Sequence, residues 1–209
     1  MDKPLLTCAL PLYRSADIAW LALESLSHQQ DAPPWELVVI EEDVEAYTEA
    51  GVNSHADELS AAGCVSVRYY STKKKMNLGE KWRRMASLAT GEVTVLVAGD
   101  CYSHPRRLRE TWDALCGFEW VQSPVGPFYD IATGAYALYD HALNKHGRHT
   151  ALNMATHTHL LRLLPECTKT SGIDGWLYEN IWNELRRMPR TLINKSPAWS
   201  RGVDTHGLT

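Results

Sequence analysis

The chain has 209 residues, of which 44% are hydrophobic and 22% charged, as is typical of one globular domain. This composition excludes global disorder, and no apolar run approaches the roughly 20 residues of a membrane-spanning helix. The formal net charge of -4 at pH 7 argues against a general polyanion-binding protein. The first residues lack the layout of a signal peptide, so we expect a cytoplasmic protein without a membrane partner.

Apolar runs alternate with segments of helical periodicity along the first half of the chain. The runs predict strands over residues 5–10, 35–40, 65–70 and 93–97. The periodic segments predict helices over residues 18–26, 44–62 with a break near Gly51, 79–89 and 105–116. This alternation is typical of βαβ units, so we expect an α/β fold: a three-layer α/β/α sandwich with a mostly parallel central sheet.

Glycine and proline residues punctuate the second half of the chain, from about residue 118. Such residues favour loops and short strands. Two further segments, near residues 155–164 and 176–187, have the spacing of helices.

Polar side chains follow the predicted strands, where the carboxyl ends of a parallel sheet bind ligands. Tyr13, Glu42 and Asp100 occupy such positions. The glycine-rich motifs GxGxxG and GxxxxGK[ST] are absent, which argues against dinucleotide and P-loop sites. Acids beside a basic cluster that includes Lys81 and Arg84 suit a nucleotide diphosphate, because a divalent cation can bridge carboxylate and phosphate oxygens.

Several short motifs occur in a collinear order. Pro11 and Tyr13 end the first predicted strand as P-x-Y, and the acid Glu42 follows the second strand. Asn77 and Gly79 open the helix after the third strand as N-x-G. This order resembles the GT-A glycosyltransferases, specifically their inverting family-2-like group, and the resemblance implies that these five residues bind the nucleotide-sugar donor.

The resemblance also covers the region after the fourth strand, where the family carries a D-x-D metal motif. Spacing from Pro105 puts Asp100 at the second acid of that motif, and Ala98 stands at the first. The resemblance implies that Asp100 binds Mn²⁺ or Mg²⁺ together with the donor diphosphate. Gly99 beside it would let the sugar or diphosphate approach the backbone closely.

The second half adds two matches by order and character. Asp174 resembles the acid at the start of a family helix that acts as the general base, and helix capping alone is the alternative reading. His206 resembles a metal-ligating histidine near the C-terminus. The implied reaction is an inverting single displacement, in which Lys81 and Arg84 help to stabilise the departing diphosphate.

The resemblance implies one GT-A-like domain over residues 1–209, with a nucleotide-sugar-binding half (1–116) and an acceptor-binding, catalytic half (117–209). The donor is expected to be a UDP sugar. Basic clusters over residues 73–84 and 106–109 resemble those of small phage-encoded glycosyltransferases that modify hydroxymethylated bases in DNA. A saccharide acceptor stays open. An inactive nucleotide-sugar-binding module also stays open, because one of the two acids of the metal motif is missing. A nucleotidyltransferase is disfavoured, since the first strand is not followed by a glycine-rich basic loop.

Overall fold

The structure is a computed structural model that describes residues 3–15, 18–42, 49–116, 118–122, 125–130, 132–140, 154–185, 193–194 and 203–204. The strands are β1 (Leu6–Tyr13), β2 (Trp35–Glu42), β3 (Cys64–Thr72), β4 (Val93–Leu96), β5 (Cys101–Tyr102), β6 (Trp120–Gln122), β7 (Val125–Tyr129), β8 (Tyr136–Asp140), β9 (Met154–His157), β10 (Ile193–Asn194) and β11 (Val203–Asp204).

The helices are α1 (Ala19–Ser27), α2 (Glu49–Asn53), α3 (Ala56–Ala61), α4 (Leu78–Leu88), α5 (Arg107–Ala114), α6 (Thr158–Arg162) and α7 (Ile173–Leu185). The longest of them, α7, has 13 residues. Across the described ranges, no helix is both long enough and apolar enough to cross a bilayer.

The main sheet has seven strands in the order β10-β6-β9-β4-β1-β2-β3. The pairs β4–β1, β1–β2, β2–β3 and β10–β6 are parallel, whereas β9 is antiparallel to both β4 and β6. Six of the seven strands therefore run in one direction, and the prediction of a mostly parallel α/β sheet is confirmed.

Helices cover both faces of this sheet. Successive side chains of a strand point to opposite faces, and β1 uses both. Leu6, Cys8, Leu10 and Leu12 belong to a buried cluster with α1, α3 and α5. Ala9 belongs to a second cluster with α4, α6 and α7. The two apolar cores give the predicted three layers.

A second sheet, in the order β5-β11-β7-β8, joins the C-terminal part of the chain to the region after β4. Strand β11 is antiparallel to β5, with Asp204 opposite Cys101. The same residue pairs with Phe128 of β7. The backbone near the C-terminus therefore lies directly beside the residue that follows Asp100.

Three helix boundaries differ from the sequence prediction. The break predicted near Gly51 occurs at residues 54–55, between α2 and α3, and Gly51 lies inside α2. The other two differences are helix starts in the second half of the chain. Residues 155–157 belong to β9 because Ala155 and its neighbours complete the sheet between β4 and β6. Helix α6 begins only at Thr158, whose N–H donates to the Glu92 carbonyl. Helix α7 begins at Ile173, three residues earlier than predicted, after Gly172 with its positive φ of 63°. Asp174 therefore lies inside the first turn of α7.

Candidate active site

Chain order reverses beside β1, because β2 and β3 extend the sheet on one side of it and β4 on the other. The Val97 N–H donates to the Ala9 carbonyl at 3.0 Å, and the β1–β4 pairing ends there. Pro11, two residues further along β1, has no N–H with which to continue that pairing. The ends of β1 and β4 can thus separate from each other, at the point where open α/β sheets bind their ligands.

Tyr13 and Glu42 lie opposite each other at the ends of β1 and β2. Tyr13 is 47% exposed, whereas Glu42 is buried. Lys81 projects between them from the first turn of α4. Its Nζ lies 3.0 Å from Glu42 Oε2, donates to the Leu12 carbonyl at 3.1 Å, and lies 5.3 Å from the centroid of the Tyr13 ring. One ammonium therefore joins the ends of both strands. The guanidinium of Arg14 lies 5.3 Å from the same ring.

The N-x-G motif fixes the start of α4. Asn77 is the N-cap residue: its Oδ1 accepts from the Glu80 N–H at 2.8 Å, and its Nδ2 donates to the Cys167 carbonyl at 2.6 Å. A Cβ on Gly79 would lie 2.6 Å from Cys167 Sγ and 2.9 Å from the Trp176 ring. Both motif residues thus hold α4 against the segment that leads into α7.

The turn after β4 carries Asp100 and lies against the end of β1. A Cβ on Gly99 would be 2.7 Å from Leu12 Cδ2, so only glycine allows this approach without a shift of the buried leucine. The Cys101 N–H donates to the Ala98 carbonyl, which closes the turn. Cys101 Sγ also lies 3.7 Å from Asp100 Oδ1. Asp100 itself is half-buried at the carboxyl edge of the sheet.

Arg107 is a residue whose role sequence reasoning missed, because it was grouped with surface cations. It is buried: one guanidinium nitrogen donates to Ser103 Oγ at 3.0 Å and another to the Leu96 carbonyl at 2.8 Å. Burial lowers the pKa of Arg107. Since Leu96 precedes and Ser103 follows Asp100, this guanidinium ties both ends of the loop together. The sequence offers one sign of this burial. Arg107 stands four residues before Thr111, so the two side chains share a face of α5, and Thr111 is buried.

The first turn of α7, which contains Asp174, packs against the first turn of α4. Trp176 of α7 lies against Gly79 of α4, and the Trp176 N–H donates to the Gly172 carbonyl at 3.1 Å. Asp174 lies half-buried in that first turn, where the helix dipole favours a negative charge.

The residues at this edge of the sheet can be tested for a fit to a divalent metal ion. In the part of the chain that the structure describes, no group of three or more His, Cys, Asp or Glu residues could hold a metal ion. Magnesium is commonly bound by one or two carboxylates plus waters and substrate phosphates. Asp100 alone therefore fits a metal whose remaining ligands a diphosphate supplies. His206 lies outside the described residues, two positions beyond Asp204 of β11.

The basic residues over 73–84 and 106–109 differ in exposure and pairing. Lys81 and Arg107 are buried, and each is held by a carboxylate or a backbone carbonyl. Lys74 and Arg109 lie at the surface in ion pairs with Glu80 and Asp113. The remaining exposed cations of these clusters are Lys73, Lys75, Arg84 and Arg106. Lys73 and Lys75 lie between β3 and α4, at the same edge of the sheet as Asp100.

Comparison with known proteins identifies the family of the chain. Residues 7–163 match the family described as Glycosyl transferase family 2. The structure of S. aureus TarS residues 1–349 with UDP has 16% identity and a TM-score of 0.72 over 96% of this chain and 60% of that chain. The same protein with UDP-GlcNAc gives a TM-score of 0.73, with 16% identity, over 98% of this chain and 59% of that chain.

Glucosyl-3-phosphoglycerate synthase from Mycobacterium tuberculosis, solved with Mg²⁺ and UDP, has 17% identity and a TM-score of 0.58. The match covers 93% of this chain and 69% of that one. No curated protein sequence matches the chain. The chain spans about 60% of the TarS structure. Since the family match extends over about three quarters of the residues, the chain belongs to glycosyl transferase family 2 and has a GT-A-like fold.

Proposed function

We propose that the protein transfers a sugar from a UDP sugar to an acceptor hydroxyl. The observation that carries this proposal is the convergence of Tyr13, Glu42 and the Gly99–Asp100 turn at the reversal point beside β1. TarS in complex with UDP-GlcNAc and the mycobacterial synthase in complex with UDP-glucose support a uridine nucleotide as the donor.

The nucleoside would occupy the ends of β1 and β2. The exposed Tyr13 ring offers a flat surface on which a base can stack. The Glu42 carboxylate can accept a hydrogen bond from the N–H of uracil. Pro11 lies where the β1–β4 pairing has ended, while Asn77 and Gly79 fix the start of the helix that carries Lys81.

The diphosphate would lie at the turn after β4. Asp100 would hold Mg²⁺ or Mn²⁺ there, and His206 would join it through the C-terminal segment that β11 aligns with β5. The cation would neutralise charge that develops on the leaving diphosphate. Gly99 lets the turn that carries Asp100 pack against Leu12 at the end of β1, and the exposed Arg84 of α4 would add a positive charge. The mycobacterial synthase is solved with Mg²⁺ and with Mn²⁺.

Asp174 would act as the general base. It would take the proton of the acceptor hydroxyl while that oxygen forms a bond to the anomeric carbon. The bond from the anomeric carbon to the diphosphate oxygen breaks, and UDP leaves on the opposite face, so that the configuration inverts. In this scheme residues 1–116 bind the donor and residues 117–209 bind the acceptor.

A hydroxymethylated base in DNA is the proposed acceptor. The exposed Lys73 and Lys75 support it, because they lie at the site edge where phosphates of a polynucleotide could bind. The burial of Arg107 removes one cation from the surface, and Asp113 neutralises the partly exposed Arg109. A saccharide, which needs no basic surface, is therefore the competing acceptor.

A panel of UDP sugars with mass-detected transfer to hydroxymethylated DNA and to simple glycans tests the proposal. We expect product from one acceptor class, formed far more slowly by the Asp174→Asn control. Product only with glycans would refute the DNA acceptor. Binding of UDP without transfer or hydrolysis of any UDP sugar would identify an inactive nucleotide-sugar-binding module instead.

A further inference from the structure

The first turn of α4 contains a cation that is almost fully buried. Lys81 is 4% exposed, although lysine is among the residues least often buried without a partner. Its ammonium lies 3.0 Å from Glu42 Oε2 and donates to the Leu12 carbonyl at 3.1 Å. The side chain therefore points into the protein, toward the ends of β1 and β2.

Most of the hydrogen-bonding capacity of this ammonium is used within the protein. A lysine ammonium has three N–H donors and no acceptor. The Glu42 carboxylate and the Leu12 carbonyl take two of them, and the centroid of the Tyr13 ring lies 5.3 Å from Nζ. A phosphate oxygen would therefore have to reach the one remaining donor of an ammonium whose side chain is buried.

The groups that Lys81 contacts are those that would recognise the nucleoside. Tyr13 and Glu42 are paired residues at adjacent strand ends, and the ammonium is in reach of both. Without it, the Glu42 carboxylate would be a buried charge that has lost its counter-ion, which is unfavourable. We infer that Lys81 is a positioning residue of the nucleoside subsite and not a ligand of the diphosphate.

This inference rests on the proposed UDP-sugar donor and can be tested by comparing two ligands. Uridine reports on the nucleoside subsite alone, and UDP adds the diphosphate. The variant Lys81→Met removes the ammonium and keeps an unbranched stem. We expect the affinities for uridine and for UDP to fall by the same factor, on the order of tenfold, as for loss of a charged hydrogen-bond partner.

The matched control is Arg84→Met, which removes an exposed cation one turn further along α4. We expect this control to weaken UDP and to leave uridine unchanged. Thermal unfolding of each variant verifies that it is folded. If Lys81→Met does not fold, Lys81→Gln gives the same comparison, because its amide can still donate to the Leu12 carbonyl.

Each outcome decides the question. Weaker UDP binding with unchanged uridine binding in the Lys81 variants would make Lys81 a phosphate ligand and overturn the inference. Unchanged affinity for both ligands would also overturn it. If the wild-type protein bound neither uridine nor UDP, the proposed donor site itself would fail, and that pattern is distinct from the other two.

Discussion

Asp100 and Asp174 are the two carboxylates on which the proposed reaction depends. Asp100 lies in the turn after β4, and Asp174 lies in the first turn of α7. A carboxylate that holds a metal stays ionised throughout the reaction, whereas a general base must accept a proton. Substitution at each position should therefore affect a different measured quantity.

We expect Asp174→Asn to slow transfer by roughly 10²–10⁴-fold, the usual contribution of a positioned base. Donor affinity should hardly change, because asparagine keeps the size of the side chain but cannot accept a proton. Single-turnover transfer and UDP-sugar affinity, measured on the same variant, test this. A large loss of donor binding would place Asp174 in the donor site, and unchanged transfer would leave it a purely structural residue of α7.

We expect wild-type UDP binding to strengthen when Mn²⁺ replaces EDTA, and only modestly, since Ala98 leaves a single motif acid. Asp100→Ala should abolish that metal effect and abolish transfer, because the diphosphate loses charge stabilisation at the transition state. Calorimetry with and without EDTA measures the first effect. An Asp100→Ala protein with normal turnover would contradict the metal-site assignment, and circular dichroism serves as the folding control.

Helix α4 shows how a short motif can act through an element. Its N-cap Asn77 binds the backbone of Cys167, and Gly79 lets Cys167 and Trp176 approach closely. The helix is thereby fixed at its first turn, from which Lys81 reaches the strand ends. The motif resembles donor-binding residues in sequence, and the contacts in the structure are those of helix packing.

We expect Gly79→Ala to lower the free energy of unfolding by about 1–3 kcal/mol, the usual cost of overpacking. The added methyl would lie 2.6 Å from Cys167 Sγ, and the buried sulfur would have to move. Ser87→Ala, at an exposed position of the same helix, is the matched control and should change stability little. Urea unfolding measures both. Equal stability of the two variants would show that the site tolerates a side chain.

At the scale of the whole molecule, a buried ionic network joins three strands at the edge opposite the candidate site. Glu36 on β2 accepts from Thr7 Oγ1 of β1 at 2.7 Å and from the N–H groups of Thr90 and Gly91. Arg68 of β3 binds its other oxygen at 2.5 Å. Burial raises the pKa of Glu36, but the hydrogen bonds and Arg68 outweigh burial and lower it.

This lowered pKa predicts that the folded protein loses stability in acid. The network adds stability above the ordinary glutamate pKa of about 4.3, and that contribution is lost as the pH falls through the lower folded-state value. Glu36→Gln should be less stable than wild type near neutral pH, with a gap that narrows in acid. Glu80→Gln, in an exposed pair with Lys74, is the control and should change little. A gap independent of pH would contradict an ionised Glu36.

The alternation of apolar runs and helical segments was sufficient to predict the fold. Strands β1 to β4 and helices α1, α4 and α5 lie close to their predicted positions, because each pattern is local and its period identifies the element. The segment at 155–157 was wrongly predicted as helix, since its strand conformation depends on pairing with β4 and β6. Pairing with distant strands leaves no periodic signal in so short a run.

The sequence by itself determined the fold class, the family and the positions of Tyr13, Glu42 and Asp100 at strand ends, because parallel strands carry their site residues directly after an apolar run. The tertiary structure decided what the basic residues contact. The sequence predicts that Lys81 stabilises the diphosphate and that Arg107 belongs to a basic cluster, yet both are buried against distant backbone carbonyls. Burial and partner choice depend on how separate elements pack, and local sequence does not encode that packing.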